Sequence, residues 1–226
     1  MKNRDYTLIL DKSGSMSITD QPGGLSRWDA AQESTLAVAR KCEKLDADGL
    51  TVYIFSSRYK RYDNVTSGQV ETIFLENDPM GLTNLAPPLK DATDNFFQRK
   101  ATGQMTKAGE TILVITDGEP SDRREVIETI VAATQRMERD EELAISFIQV
   151  GNDEGAKAFL KALDDQLGEV GAKFDICDTI TMDEMADVPL MEVLLNAIED
   201  YRRSSRSRGM GGFLPCCPLV YREAIE

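Results

Sequence analysis

Five oxygen-bearing side chains, Asp11, Ser13, Ser15, Thr83 and Asp117, carry the chemistry that this sequence offers. Three of them share one turn, Asp11-Lys12-Ser13-Gly14-Ser15-Met16, in which alternate residues can converge while Gly14 relieves the backbone. Thr83 lies in Gly81-Leu82-Thr83-Asn84-Leu85, and Asp117 in Val114-Ile115-Thr116-Asp117-Gly118. Carboxylates and hydroxyls are hard donors. Mg²⁺ takes six oxygens in a tight octahedron and retains several of them as water, so this set suits Mg²⁺ and, less selectively, Mn²⁺ or Ca²⁺. Two aspartates brought together beside few neutralising cations repel each other, and a bound cation is the compensation expected. Singly, each residue has a blander use: Asp11 or Asp117 as a turn cap, Ser13 or Ser15 as a partner for loop amides, Thr83 as a cap for the next helix. The joint arrangement is what raises them above that.

The elements that must position these residues can be read from apolar periodicity. Thr7 to Leu10 is a short apolar run without period-2 alternation, which predicts a central strand covered on both faces and ending at Asp11. Ile112 to Ile115 repeats the design and delivers Asp117. Strands are also predicted at 51–55, 144–151 and 174–180. Helices are predicted from Ser26 with Asp29 (stripe Ala31, Thr35, Val38, Cys42, Leu45), beyond Pro87 or Pro88 (Leu89, Ala92, Phe96), and from Asp122 with Glu125 (Val126, Ile130, Ala133, Met137). Two more follow Asp153 (Phe159, Leu163, Leu167) and Thr181 with Glu184 (Leu190, Leu194, Ala197, Tyr201). Tyr59 to Val65 and Gln69 to Leu75, separated by Thr66-Ser67-Gly68, read as a hairpin-linked pair whose second run is an edge strand. Strand-helix alternation of this kind predicts a mostly parallel sheet with helices on both faces. In such sheets ligands bind at the carboxyl ends of the strands, where both aspartates fall.

Composition removes several function classes. The chain has no histidine, which excludes His-based triads and H-E-x-x-H zinc hydrolysis. A formal charge of −13 argues against a nucleic-acid surface. That charge is uneven: residues 202–226 carry five Arg and two Glu, net +3, which leaves −16 on residues 1–201. Cys42 and Cys177 sit in periodic runs and read as core residues, Cys216 and Cys217 are adjacent, and no C-x-x-C pair occurs. With a charged N-terminus and no apolar run of membrane-spanning length, a cytoplasmic protein is expected.

On the D-x-S-x-S turn, the threonine of GLTNL and the aspartate of VITDG, the chain resembles the von Willebrand factor A (vWA) family with its metal-ion-dependent adhesion site (MIDAS), over residues 5 to 201. The resemblance implies a Rossmann-like three-layer α/β/α sandwich with a mostly parallel six-stranded sheet and one antiparallel edge strand. It also implies that Ser13, Ser15 and Thr83 ligate a metal by hydroxyl, that Asp11 and Asp117 bind directly or through water, and that a partner's Asp or Glu completes the sphere. A protein-interaction role without catalysis follows, with use beside an ATPase in a larger assembly as a family habit. Two features depart from the pattern: Gly81-Leu82 precedes Thr83 where many members have paired glycines, and Lys12 puts a positive side chain near the rim.

A second function class uses the same acid. An aspartate at a strand end beside hydroxyls and Mg²⁺ is also a phosphohydrolase or phosphotransferase layout, as in haloacid-dehalogenase-like D-x-D, but Ser13 stands where the second acid would be and no G-K-[ST] loop occurs. Asp20, Asp78 and Asp122 read as solvated or capping acids, and Trp28 as packing. Residues 1–201 are expected to form the vWA-like domain. Residues 202–226 read as a basic Ser/Gly-rich linker with a short apolar end, FLPCCPLVY, for which docking, partner binding, lipidation at Cys216 or Cys217, and return to the site through Glu223 or Glu226 all stay open.

Overall fold

A computed structural model describes residues 4–43, 49–104, 109–181 and 190–195. Six strands form one sheet: β1 (Asp5–Asp11), β2 (Leu50–Phe55), β3 (Tyr59–Val65), β4 (Glu110–Thr116), β5 (Leu143–Gln149) and β6 (Cys177–Ile180). The spatial order is β3-β2-β1-β4-β5-β6, and every pairing is parallel except β2 with β3. Among the described residues, helices with both ends defined are α1 (Arg27–Glu43), α2 (Ser67–Leu75), α3 (Ala86–Ala101), α4 (Arg123–Arg136) and α5 (Glu154–Asp165), and residues 190–195 are helical too. This is the expected three-layer α/β/α sandwich with a six-stranded sheet and one antiparallel edge.

Successive strand residues serve opposite faces, as period 2 requires. Leu8, Leu10, Val52, Ile54, Leu113 and Ile115 pack under α1, α2 and the helical residues 190–195, with Val38, Phe74 and Leu194 facing them. Ile9, Tyr53, Phe55, Ile112, Val114 and Phe147 pack under α3, α4 and α5, with Leu89, Phe96, Ile130 and Leu163 opposite. Each of these side chains contributes about 1.5–3 kcal/mol by leaving water, so both faces are strongly committed. Trp28 does pack: its ring lies 4.4 Å from that of Phe74, joining α1 to α2.

One element differs in kind from its reading. Residues 67–75, expected to include the edge strand Gln69 to Leu75, form α2, and β3 itself is the antiparallel edge, turning back from β2 through Ser56, Ser57 and Arg58. The helix wins for two reasons visible in its ends and its stripe. The Thr66 and Gln69 side chains satisfy each other's backbone groups in a capping box, and Val70, Ile73 and Phe74 recur at helical spacing onto α1.

The remaining starts behave as their residues suggest, with one exception. Ser26 and Asp29 cap α1 reciprocally, and Asp153 Oδ1 accepts from the Ala156 amide. Asp122 occupies the cap position of α4 but turns its carboxylate elsewhere, accepting the Leu85 and Ala86 amides at 3.0 and 2.9 Å. An acid there meets unpaired amides and the positive end of α3, where it is most stabilised. The 202–226 tail and its cysteines, with Leu45, Glu184, Ala197 and Tyr201, lie outside the described residues.

Candidate functional site

Asp11 and Asp117 stand at the carboxyl ends of the neighbouring parallel strands β1 and β4, on either side of the point where strand order reverses. That point opens a crevice in any such sheet. The turn after β1 curls immediately, with residues 14–17 in a single 3₁₀ turn, and this brings Ser13 and Ser15 over Asp117. Ser15 Oγ donates to Asp117 Oδ1 at 2.8 Å, Ser13 Oγ donates to the same oxygen at 3.3 Å, and the two hydroxyls lie 3.1 Å apart. Three oxygens therefore form one small triangle.

Asp11 supports this triangle from below. It is fully buried; Oδ1 accepts the Ser13 amide at 2.6 Å and Oδ2 accepts the Thr116 hydroxyl at 2.8 Å. Burial pushes its carboxyl up to about 7, against the pull of the Ser13 amide, and the nearby Asp117 charge adds to the rise. With both oxygens engaged and no solvent exposure, Asp11 is poorly placed to act as a phosphate nucleophile.

Thr83 arrives from a third loop. Its carbonyl accepts the Ser121 amide at 2.9 Å, which ties the segment before α3 to the loop after β4. A Cβ built on Gly118 would lie 3.7 Å from the Thr83 hydroxyl, so this hydroxyl borders the residue following Asp117. Among the described residues, it makes no hydrogen bond to Ser13, Ser15 or Asp117. Four of the five residues thus form one bonded cluster, and Thr83 stands beside it.

Sequence reading missed Arg27. This first residue of α1 is buried, and its Nη1 donates to Asp117 Oδ2 at 2.8 Å. Its Nε and Nη2 hold Asp20, whose carboxyl is pulled below its usual range by that pairing. The expectation of few neutralising cations is corrected accordingly; Asp20 is exposed, as expected, and is in addition paired with Arg27. Asp78 is exposed, as expected. The guanidinium lies against Gly151, where a Cβ would come within 2.3 Å of Cζ. A cation at a helix's first residue opposes the helix dipole, and this was the available signal.

The donor set fits a hard cation. With bonds of about 2.0–2.1 Å, neighbouring oxygens in an octahedron are roughly 2.9 Å apart, near the triangle's edges of 2.8 and 3.1 Å and shorter than its third edge of 3.3 Å. Among the described residues no three His, Cys, Asp or Glu side chains cluster as a metal site. A set of two acids and three hydroxyls would not form such a cluster.

The family described as vWA-TerF-like, a vWA found in the TerF C terminus, has a model that matches residues 4–211. The chain belongs to this family. Among curated proteins, none matches this vWA-TerF-like chain. Solved structures share its fold at low identity. They include a variant of the PilB minor pilin from Streptococcus sanguinis (14% identity, TM-score 0.61, 91% of this chain and 62% of that one). The pilus adhesin SpaC from Lactobacillus rhamnosus GG is similar too (15%, TM-score 0.58, 90% and 31%), as is the manganese-loaded Plasmodium vivax TRAP protein (15%, TM-score 0.50, 85% and 74%). This vWA-TerF-like chain spans less than two thirds of PilB and of SpaC.

The expectation of a cytoplasmic protein, drawn from the cysteines, the charged N-terminus and the lack of a long apolar run, does not stand: the same fold occurs in a pilin and a pilus adhesin. Cys42 and Cys177 are buried core residues, and burial pushes the Cys177 thiol up, so their spacing reports packing and not redox surroundings. Among the described residues no helix is long and apolar enough to cross a membrane.

Proposed function

We propose that residues 1–201 form a protein-interaction domain that binds a divalent cation, Mg²⁺ by the chemistry of its donors, and through it a partner's Asp or Glu. Ser13, Ser15 and Thr83 would hold the ion by hydroxyl, with Asp117 and Asp11 supplying charge directly or through water. Bound there, the ion supplies a coordination position that a carboxylate can fill. The chain's own residues do the remaining work: Asp11 fixes the turn through the Ser13 amide, Thr116 fixes Asp11, and Arg27 orients Asp117.

The observation that carries this reading is the Ser13–Ser15–Asp117 triangle, three hard oxygens gathered at the sheet's switch point, two of whose edges lie near the oxygen spacing of a small hard cation. Family membership supports an interaction role, and the manganese-loaded TRAP structure is consistent with a divalent ion in this fold. The engaged oxygens of Asp11 weigh against the phosphohydrolase alternative.

Calorimetric titration with Mg²⁺ tests the proposal. Saturable one-site binding is expected in the wild-type chain, weakened about tenfold or more by Ser13→Ala and by Ser15→Ala, with melting in EDTA within a few degrees of wild type. Equal Mg²⁺ affinity in all three proteins would refute it.

A further inference from the structure

Beside the triangle lies a groove of about 410 Å³, lined in part by Lys12, Arg58, Tyr59, Lys60 and Met80. A smaller hollow of about 290 Å³ shares Arg58 and Tyr59 and continues it. The groove is attached to the candidate site by backbone: Lys12 directly follows Asp11, its amide donates to Phe55 O at 2.7 Å, and its carbonyl accepts the Met80 amide at 2.7 Å. The Gly14 amide donates to Gly81 O at 3.3 Å, and the Leu82 amide to Ser57 Oγ at 3.1 Å.

Residues 80–82 are all exposed, and Gly81, at φ +90°, is closely backed: a Cβ there would lie 3.0 Å from Ser57 Oγ and 3.2 Å from Ser56 Oγ. Met80 and Leu82 face outward, 63% and 62% exposed, and Tyr59 adds a third large side chain at 40%. Large apolar side chains gathered in one place on a rim mark a recognition surface more often than scattered ones do. The bracing of Gly81 holds this loop in one shape, which lowers the ordering cost of binding.

Charge selects the occupant. The chain carries −13 overall, yet this groove presents cations. Among the described residues Lys12 and Arg58 form no ion pair, whereas Lys60 is paired with Glu76. Two unpaired cations next to exposed apolar side chains complement a short acidic peptide with apolar residues, whereas a nucleic-acid backbone needs a longer run of cations than this groove presents.

We propose that the groove of Lys12, Arg58, Tyr59 and Met80, with the exposed Leu82 on the loop beside it, docks an acidic, extended segment of a partner protein, whose acids meet Lys12 and Arg58 and whose apolar residue packs on Met80 and reaches Leu82. The proposal deepens the interaction reading above and rests on it for the neighbouring carboxylate that would reach the cation. It adds the chemistry of the flanking partner residues.

The test uses a short fluorescein-labelled peptide of Glu, Asp and Leu residues, and a counterpart with Lys in place of the acids. Each is titrated against the full chain in Mg²⁺ and in EDTA, following polarisation. The acidic peptide is expected to bind and the basic one not to. Arg58→Glu and the double variant Met80→Ser, Leu82→Ser each weaken binding about tenfold, while the Mg²⁺ titration of these variants stays as in wild type. Ser15→Ala removes the Mg²⁺-dependent part of binding and leaves a weaker, salt-sensitive part that Arg58→Glu abolishes. Binding that needs Mg²⁺ but is indifferent to both groove variants would overturn the groove and leave the cation reading intact. Peptide binding sensitive to the groove variants without any Mg²⁺ effect supports the groove and refutes the cation reading. Absence of binding, or equal binding of the basic peptide, overturns the proposal.

Discussion

Replacing Arg27 with Met separates the structural and the cation-binding roles of the acids around it. The Arg27 side chain is 10% exposed and that of Asp117 0%, so their 2.8 Å contact is shielded from water. Met keeps much of the apolar stem and removes the charge. Asp117 then keeps only the Ser13 and Ser15 hydroxyls and is buried without a charge partner, beside the carboxyl of Asp11, and breaking a buried pair in this way costs about 3–5 kcal/mol. For a domain of this size each kcal/mol moves Tm by about 2–4 °C, so melting in EDTA falls by about 6–20 °C. The cation then gains what the guanidinium lost. Without the competing positive charge, Mg²⁺ affinity rises about tenfold, and at a hundred times Kd the ion restores about 2.7 kcal/mol. The assay is thermal unfolding of both proteins in EDTA and across a Mg²⁺ series. A variant that melts within about 2 °C of wild type in EDTA refutes the buried-pair argument. A lower melting point without a larger Mg²⁺ shift refutes the cation reading and leaves the pair as structure alone.

Further substitutions probe the supports. Asp122→Ala removes the acceptor of the Leu85 and Ala86 amides and lowers stability by about 1–2 kcal/mol in urea unfolding, a loss that a cap confined to α4 would not transmit to hydrogen exchange at those two amides. Gly151→Ala meets the Arg27 guanidinium from a backbone at φ +84° and destabilises by more than about 1 kcal/mol, measured the same way. Asp164 is half-buried near Asp178, and burial first, then that neighbour, pushes its carboxyl up to about 6. The folded state thus holds this proton more tightly than the unfolded one, so the contribution is full only below the ordinary value of 3.8 and is lost as pH rises through about 6. Asp164→Asn is expected to flatten that slope and raise stability at pH 7, by about 1 kcal/mol once solvent screening is allowed for. Urea midpoints at pH 4.5 and 7 decide it.

The core strands were legible because their apolar runs are bounded at both ends by unlike residues. Thr7 to Leu10 and Ile112 to Ile115 have no other use than burial on two faces, and each delivers its aspartate where the turn begins. Residues 67–75 misled because nine residues carry only three buried positions, few enough to fit either period; the deciding signal was Thr66 with Gln69, a helix start read past as a linker. Arg27 and Gly151 were invisible for another reason. The residues lie on α1 and just after β5, and only the sheet's order brings them together above Asp117. The cross-capping by Asp122 has the same origin, since periodicity assigns a cap to the nearest helix while free energy assigns it to whichever amides lack partners.

The clamp on Thr83 reaches further than the loop it sits in. Ser121 grips its carbonyl and Asp122 grips the two amides that begin α3, so Thr83 cannot approach the serines unless that helix start and the post-β4 loop travel with it. A helix of 16 residues is a rod about 24 Å long. Its far end is fastened by Arg99 to Asp5 and to the buried Glu110, at the opposite rim of the sheet. One helix thus ties the loop of Thr83, at the carboxyl ends of the strands, to a buried ion-pair group at their amino ends.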